Sequence, residues 1–331
     1  MIALQYCPGT LAPNHNTYSK TCLNQLFNGR KVSHLLPYSS NPNSVDTEQL
    51  RENRKRISIS GVQAKVSLLL DKNKLRLTQV REQGQYILKP IPYDVKFPEY
   101  VPANEHLTMQ IARQVYKIPT ADNAMIFFND GTPAYITRRF DYKSDGSKYG
   151  QEDFASLSNQ TKENGGADFK YKGSYEQMGH LIKQYVPASI IECSKFFRLV
   201  MFNYLFSNGD AHLKNFSLLE SSFGDYLLSP AYDLLCTSLH VNDGYFALEN
   251  GLFTNENPEI DFHSLGYYTG RDFGTFAEQL KLPAKVITDA LKLFRFDFPL
   301  TKDLISRSFL SEDLKATYQR LYLNRLRALN Q

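Results

Sequence analysis

The feature that most constrains this chain is a change of texture along its length. Short apolar and alternating runs give way, near Arg138, to longer stretches with helical spacing. Val66 to Asp71, Leu75 to Val80 and Tyr86 to Lys89 have strand length and turn residues between them, which predicts adjacent antiparallel strands. Asn104 to Tyr116 repeats Leu107, Ile111 and Val115 at the spacing of one helix face, and strand character returns at Ala124 to Phe128 and Ala134 to Phe140, around Asn129-Asp130-Gly131. After a polar, Gly-rich loop from Ser158 to Gly173, Ser174 with Gln177 and Ser189 with Glu192 have capping-box spacing, so two helices are predicted to start there. The second sets Ile190, Phe197, Val200 or Met201, and Tyr204 on one face; Ala284 to Phe294 and Asp313 to Leu329 read as further amphipathic helices. A strand-rich part followed by a helix-rich part predicts an α+β protein of two lobes. The boundaries drawn are a lead-in over 1–56, with a small helix near Cys22 to Phe27, a strand-rich lobe over 57–137 and a helical lobe over 138–331.

With 42% hydrophobic and 22% charged residues, the 331-residue chain has material for a large core, which excludes a disordered or collagen-like protein. The 38 Lys and Arg against 34 Asp and Glu leave a formal charge of +4, spread evenly, which does not by itself make a DNA-binding surface. Four sparse cysteines (Cys7, Cys22, Cys193, Cys236) fit a reducing compartment, so the expected location is cytoplasmic. No run of about 18 apolar residues occurs, so no membrane partner is expected, and the first residues lack the pattern of a signal peptide.

The chemistry is concentrated in Ser207 to Ser217, where Asp210 is followed after four residues by Asn215, with a second acid, Asp233, in Ala231-Tyr232-Asp233-Leu234. Phosphoryl transfer needs a carboxylate beside the attacking hydroxyl and oxygen ligands for a Mg²⁺ that bridges nucleotide phosphates, and this order of Asp, Asn and Asp is the one protein kinases use. An Asn-Gly-Asp sequence alone is an ordinary surface turn; the other features give it weight. Ser58 to Lys65 has one glycine, Gly61, which departs from both the Gly-rich and the Walker patterns. It reads either as a loop admitting a phosphate, with Lys65 as a nearby cation, or as a polar strand edge. Lys89 closes an apolar run where a kinase carries its phosphate-pairing lysine, or is that strand's solvated end. Glu105 is its partner, or an exposed first-turn acid.

Taken together, Ser60-Gly61-Val62-Gln63-Ala64-Lys65, Arg139-Phe140-Asp141, Gln151-Glu152-Asp153-Phe154, Asn208 to Ser217 and Pro230-Ala231-Tyr232-Asp233-Leu234 resemble the HipA-like serine/threonine kinases, the toxins of bacterial toxin–antitoxin systems, from about Ile57 onward. The resemblance implies a two-lobed protein-kinase-like fold with ATP and Mg²⁺. ATP would be held by Ser60, Gly61, Val62, Gln63, Ala64 and Lys65, by Lys89 on its phosphates, by a hinge at Arg138, Arg139 and Phe140, and by His212 and Lys214. Asp210 would be the catalytic base, and Asn215 and Asp233 the metal ligands. The lobe over 57–137 would then bind nucleotide and that over 138–331 carry catalysis. The short stretch ahead of Ser58 resembles the HipT-type toxins, which implies autophosphorylation at Ser58 and Ser60, a small HipS-like antitoxin supplying the missing N-terminal subdomain, and a HipB-like helix-turn-helix partner through which alone DNA is met. The implied target is an aminoacyl-tRNA synthetase, tryptophanyl first and glutamyl second. A catalytically inactive scaffold and a small-molecule kinase are the competing readings. Related sequences often carry a metal knuckle at the front, but Cys7 and Cys22 keep one cysteine of each pair; two thiols are too few for structural zinc, and His15 is the residue available as a third ligand. His34, His106, His180, His240 and His263 show no ligand spacing.

Overall fold

The computed structural model describes residues 4–41, 64–79, 81–143, 145–255 and 260–331. Two compact units divide the chain: Met1–Ile111, Ala121–Phe140 and Asp303–Lys315 form one, and Ala112–Thr120, Asp141–Lys302 and Ala316–Gln331 the other.

The first unit contains α1 (Lys20–Phe27), β1 (Val66–Asp71), β2 (Lys74–Leu77), β3 (Tyr86–Lys89), most of α2 (Val101–Gln114), β4 (Asn123–Phe127) and β5 (Pro133–Arg138). The strands form one antiparallel sheet in the order β2-β1-β3-β5-β4, with Leu68 opposite both Leu77 and Tyr86, and Leu88 opposite Ile136. Because side chains alternate along a strand, Val66, Leu68, Tyr86, Leu88, Ala134 and Ile136 share a core with Cys7, Tyr18, Cys22, Leu26 and Phe27 from the lead-in. Hydrogen bonds fasten that layer: Tyr18 donates its hydroxyl to Met125 O (2.8 Å) and Tyr86 to Leu26 O (3.0 Å). The lead-in is therefore part of the sheet's hydrophobic core. The strand expected through Val80 stops at Leu77, where the chain turns and Glu82 accepts from both Gln79 N–H (2.8 Å) and the Arg76 guanidinium (2.6 Å).

The second unit holds β6 (Gln151–Asp153), α3 (Phe154–Leu157), α4 (Lys162–Gly165), α5 (Tyr175–Tyr185), α6 (Ser189–Leu205), β7 (Ser217–Glu220), β8 (Tyr226–Leu228), α7 (Asp261–Leu265), α8 (Gly270–Gln279) and α9 (Ala284–Phe294). Parts of α10 (Pro299–Arg307) and α11 (Glu312–Leu329) also belong to it. The expected loop from Ser158 to Gly173 contains α4 and a turn of 3₁₀ helix at Phe169–Tyr171. The capping box at Ser174 and Gln177 forms, with both reciprocal bonds present. The one at Ser189 does not. Ala188 occupies the cap position, and Glu192 is buried and turned away, accepting from Lys195 Nζ (2.7 Å) and Leu228 N–H (3.1 Å). That acid ties α6 to β8, and its carboxylate is directed to those partners and not to its own helix start. Ile190 also departs from expectation: it is 59% exposed, and the buried face begins at Cys193 and runs through Phe196, Phe197, Val200, Met201 and Tyr204. Among the described residues, no helix is long and apolar enough to cross a membrane.

Candidate active site

The turn after α6 is built by local hydrogen bonding. Ser207 takes a left-handed conformation (φ 51°), which ends the helix, and Asn208 returns to it through its N–H on Asn203 O and its Nδ2 on Asn203 Oδ1, both 2.8 Å. Gly209 donates its N–H to Thr237 Oγ1 (2.7 Å), and a Cβ there would lie 2.5 Å from Asp243 Cγ and 2.7 Å from Gly244 O. Only glycine fits that approach. Asp210 follows, then a 3₁₀ turn at Leu213–Asn215. The Asn215 side chain bridges two segments: its Oδ1 accepts from His212 N–H (3.1 Å) and its Nδ2 donates to Asp233 Oδ2 (3.4 Å). Asp233 is itself left-handed (φ 56°), a conformation costing of order 1–3 kcal/mol for such a residue. Its neighbours hold it there: Ala231 N–H bonds Pro119 O (2.8 Å) and the Tyr232 hydroxyl bonds Lys214 O (3.0 Å). The structure thus brings Asp210, Asn215 and Asp233 together within one unit.

Tyr171 donates its hydroxyl to Asp210 Oδ1 (3.0 Å). Burial pushes the Asp210 carboxyl above its ordinary range; Lys170 and the Tyr171 hydroxyl oppose that rise, while Asp233 and Asp243 add to it. His212 packs edge-on against the Tyr171 ring at 5.4 Å. Burial, reinforced by Lys170, lowers its pKa to about 4, so it is neutral near pH 7, and its Nδ1 is buried without a hydrogen-bond partner among the described residues. Lys214 sits on the same turn, but its ammonium is held by Asp153 Oδ2 (2.5 Å) at the end of β6.

In the first unit, Lys89 is 4% exposed and paired with Glu105 Oε1 at 2.6 Å, beneath the Tyr135 ring at 5.4 Å. The reading of Lys89 as a solvated strand end is excluded, as is that of Glu105 as an exposed dipole acid. Strand alternation explains the placement: Tyr86 and Leu88 face the lead-in core, so Lys89 shares the other face with Ile87, and the register sets it opposite Tyr135. Arg138 donates to Asn28 Oδ1 (2.7 Å) and Arg139 N–H to Gln85 O (2.9 Å); the chain leaves this unit after Phe140. Ala64 and Lys65 lead directly into β1. Ser58, Ser60, Gly61, Val62 and Gln63 lie outside the described residues.

Among the described residues, no group of three or more His, Cys, Asp or Glu side chains is arranged to hold a metal ion. Asn215 with Asp233 is a smaller set of the kind Mg²⁺ accepts, since that ion takes one or two protein oxygens and fills its shell with water and phosphate. As placed, the Asn215 amide presents its nitrogen to Asp233, so both oxygens reach one ion only if the amide turns and gives up the His212 N–H bond. Sequence reasoning missed Tyr171, Thr237 and Asp243. The run Asp168-Phe169-Lys170-Tyr171, two aromatics within a polar loop, was the available signal for the first. Nothing local marks the other two.

The helix-borne turn and the sheet-borne lysine pair define a kinase-like α+β fold. Residues 57–295 match the family described as the HipA-like C-terminal domain, and the chain belongs to that family. It is 28% identical over 331 residues to a Haemophilus influenzae protein named "Putative kinase", with 95% of this chain and 92% of that one covered. It is 32% identical over 209 residues to "Putative kinase Y4dM" of Sinorhizobium fredii, covering 58% of this chain and 48% of the relative. Among solved structures, Shewanella oneidensis HipA, determined with HipB and operator DNA, has the same fold. Its TM-score is 0.64 at 20% identity, covering 83% of this chain and 65% of that chain's length.

Proposed function

We propose that the chain is an ATP-dependent serine/threonine protein kinase that acts as a HipA-like toxin in the cytoplasm. The observation that carries this reading is the contact between Asn215 Nδ2 and Asp233 Oδ2, 3.4 Å, beside the turn that presents Asp210. Asp210 orients the acceptor hydroxyl and takes its proton; the acceptor oxygen bonds to the γ-phosphorus, the bond to the β-bridging oxygen breaks, and ADP leaves. Asn215, once its amide turns its oxygen towards Asp233, and Asp233 itself would hold Mg²⁺, which would supply neutralisation of phosphate charge. The ammonium of Lys89, oriented by Glu105, pairs with nucleotide phosphates, and the remaining ATP contacts are those implied by the resemblance: Ser60 to Lys65, Arg138, Arg139, Phe140, His212 and Lys214. For Lys214 this role requires release from Asp153.

The target is an aminoacyl-tRNA synthetase, tryptophanyl before glutamyl. The partners are a HipS-like antitoxin and a HipB-like DNA-binding protein, and Ser58 and Ser60 are autophosphorylated. Support for the partner class comes from the Shewanella HipA, which was solved with HipB and DNA. For the rest it comes from the motif resemblance.

The test is transfer of label from γ-labelled ATP, with Mg²⁺, into a cell extract and purified synthetases. A labelled synthetase is expected, with the rate reduced about 10²–10⁴-fold by Asp210→Asn. A labelled metabolite identifies a small-molecule kinase instead, and no labelled product identifies a scaffold.

A further inference from the structure

Cys7 and Cys22 are both buried, yet they are not isolated from each other. Cys7 opens a tight turn in which Leu11 N–H returns to Cys7 O (2.9 Å), and Pro8 O accepts from Met125 N–H (2.8 Å), clamping the turn to β4. Cys22 lies in the first turn of α1, its N–H on the cap residue Ser19 Oγ (3.2 Å). Gly9 lets the two meet: a Cβ at that position would collide with Cys22 Sγ and come within 3.0 Å of its Cβ. The Cys7 sulfur accepts N–H bonds from Ser19 (3.1 Å) and Gly9 (3.4 Å), and the Cys22 thiol hydrogen-bonds to it as well. The Cys22 thiol above all, then the Ser19 and Thr10 hydroxyls and the Ser19 N–H, favour the thiolate against the opposing effect of burial and bring the Cys7 pKa down to about 4.

Among the described residues, the two titratable neighbours of the pair, His106 and Tyr18, carry no positive charge near pH 7. His106, whose Nε2 lies 3.2 Å from Gly9 O, is neutral, lowered to about 4 by burial, and Tyr18 is held protonated by burial. Cys193 and Cys236 are different. Burial pushes them up to about 11 and about 12, leaving both as unreactive thiols.

We propose that Cys7 and Cys22 form an oxidation site that hydrogen peroxide closes into a disulfide. In the first step the Cys7 thiolate attacks one peroxide oxygen; the O–O bond breaks, giving Cys7 sulfenic acid and hydroxide. In the second, Cys22 sulfur attacks the Cys7 sulfur, the S–O bond breaks, and water leaves with the Cys22 proton. Peroxide is oxidant for both electrons; because both sulfurs are buried, the step requires local opening of the lead-in wide enough to admit a molecule little larger than water. The cross-link then pins the start of α1 to the turn held on β4. This proposal is independent of the kinase reading.

The experiment uses the reduced full-length chain, treated with a small excess of hydrogen peroxide, quenched with catalase, denatured, alkylated and digested without reductant for mass spectrometry. The expected product is a Cys7–Cys22 cross-linked peptide, lighter by two hydrogens than its separate parts and lost on adding dithiothreitol, with Cys193 and Cys236 alkylated. The oxidised chain should also melt higher by about 5 °C. Recovery of Cys7 and Cys22 alkylated to the same extent as Cys193 and Cys236 overturns the proposal, as does a Cys7 cross-link to either of them. In Cys22→Ser, Cys7 should stop at the sulfenic acid and be trapped by dimedone. Should that variant fail to fold, the peptide masses from the native chain decide alone.

Discussion

Asp210 is a carboxylate balanced between opposing influences. Burial and the charges of Asp233 and Asp243 favour its protonated form, while Lys170 and the Tyr171 hydroxyl favour the charged form a general base requires. Tyr171 also occupies Oδ1, so under the proposed role of Asp210 as base an acceptor hydroxyl would use the second oxygen or displace the phenol. Removing the hydroxyl alone, in Tyr171→Phe, takes a donor from the charged form, so the Asp210 pKa rises further. The acid limb of kcat/KM should move to higher pH by about 1 unit, the scale of one hydrogen bond to a charged group. A pH–rate profile of the variant checks this; a limb that stays in place removes Tyr171 from the ionisation of the base. Lys89 teaches a different lesson at the same scale. With its ion pair nearly fully buried, loss of Glu105 would take from Lys89 the carboxylate that lies 2.6 Å away. A lysine closing an apolar strand is ambiguous in sequence because nothing local states what packs on its face of the sheet.

Besides α6 and Thr237, α5 also holds the turn carrying Asp210. Its first residue, Tyr175, donates its hydroxyl to Ala211 O (2.8 Å), and the loop immediately before it carries Tyr171. Ser174→Ala removes one half of the capping box and should cost about 1 kcal/mol in urea-induced unfolding. Because the frayed turn is tied to the residue after Asp210, the rate of phosphate transfer should also fall, whereas a substitution of the exposed Ile190 should change neither quantity. Paired denaturation and activity measurements separate these outcomes. The box at Ser174 was legible because its bonds are local, and β1 and β3 were legible to the residue because alternation and turn residues bracket them. The start of α6 was misread for a physical reason: Glu192 is recruited by β8, a tertiary partner that no spacing rule anticipates. In the site, Asp210, Asn215 and Asp233 could be picked out by order and spacing. Thr237 and Asp243 could not, since they reach Gly209 through folding of a later segment with no periodicity of its own.

At the scale of the whole molecule, each unit buries a neutral histidine: His106 in one, His212 in the other, both lowered from 6.5 to about 4. Below pH 6.5 the unfolded chain binds protons at these positions while the native chain does not until about pH 4, so their contribution to stability is present above 6.5 and lost as pH falls through that interval. Each can remove up to about 1.4 kcal/mol per pH unit there. Asp210 and Asp243 act in the opposite sense. Their raised native pKa values make the unfolded state the weaker proton binder, so acidification relieves part of the cost of burying them. The wild-type slope therefore sums contributions of both signs, with Asp272 on the side of Asp210 and Asp243, and His34, Glu82, Asp130, Asp145, Glu163 and Cys7 on the side of the two histidines, so a single variant is needed to read one member of it. His106→Gln retains a side-chain amide donor toward Gly9 O and deletes the titration. Between pH 6.5 and pH 4.5 its urea midpoint should fall less steeply than that of the wild type, with the two curves parallel above pH 7. Parallel curves throughout would mean that His106 is protonated in the native chain, and that the pocket beside Gly9 opens to water well above pH 4.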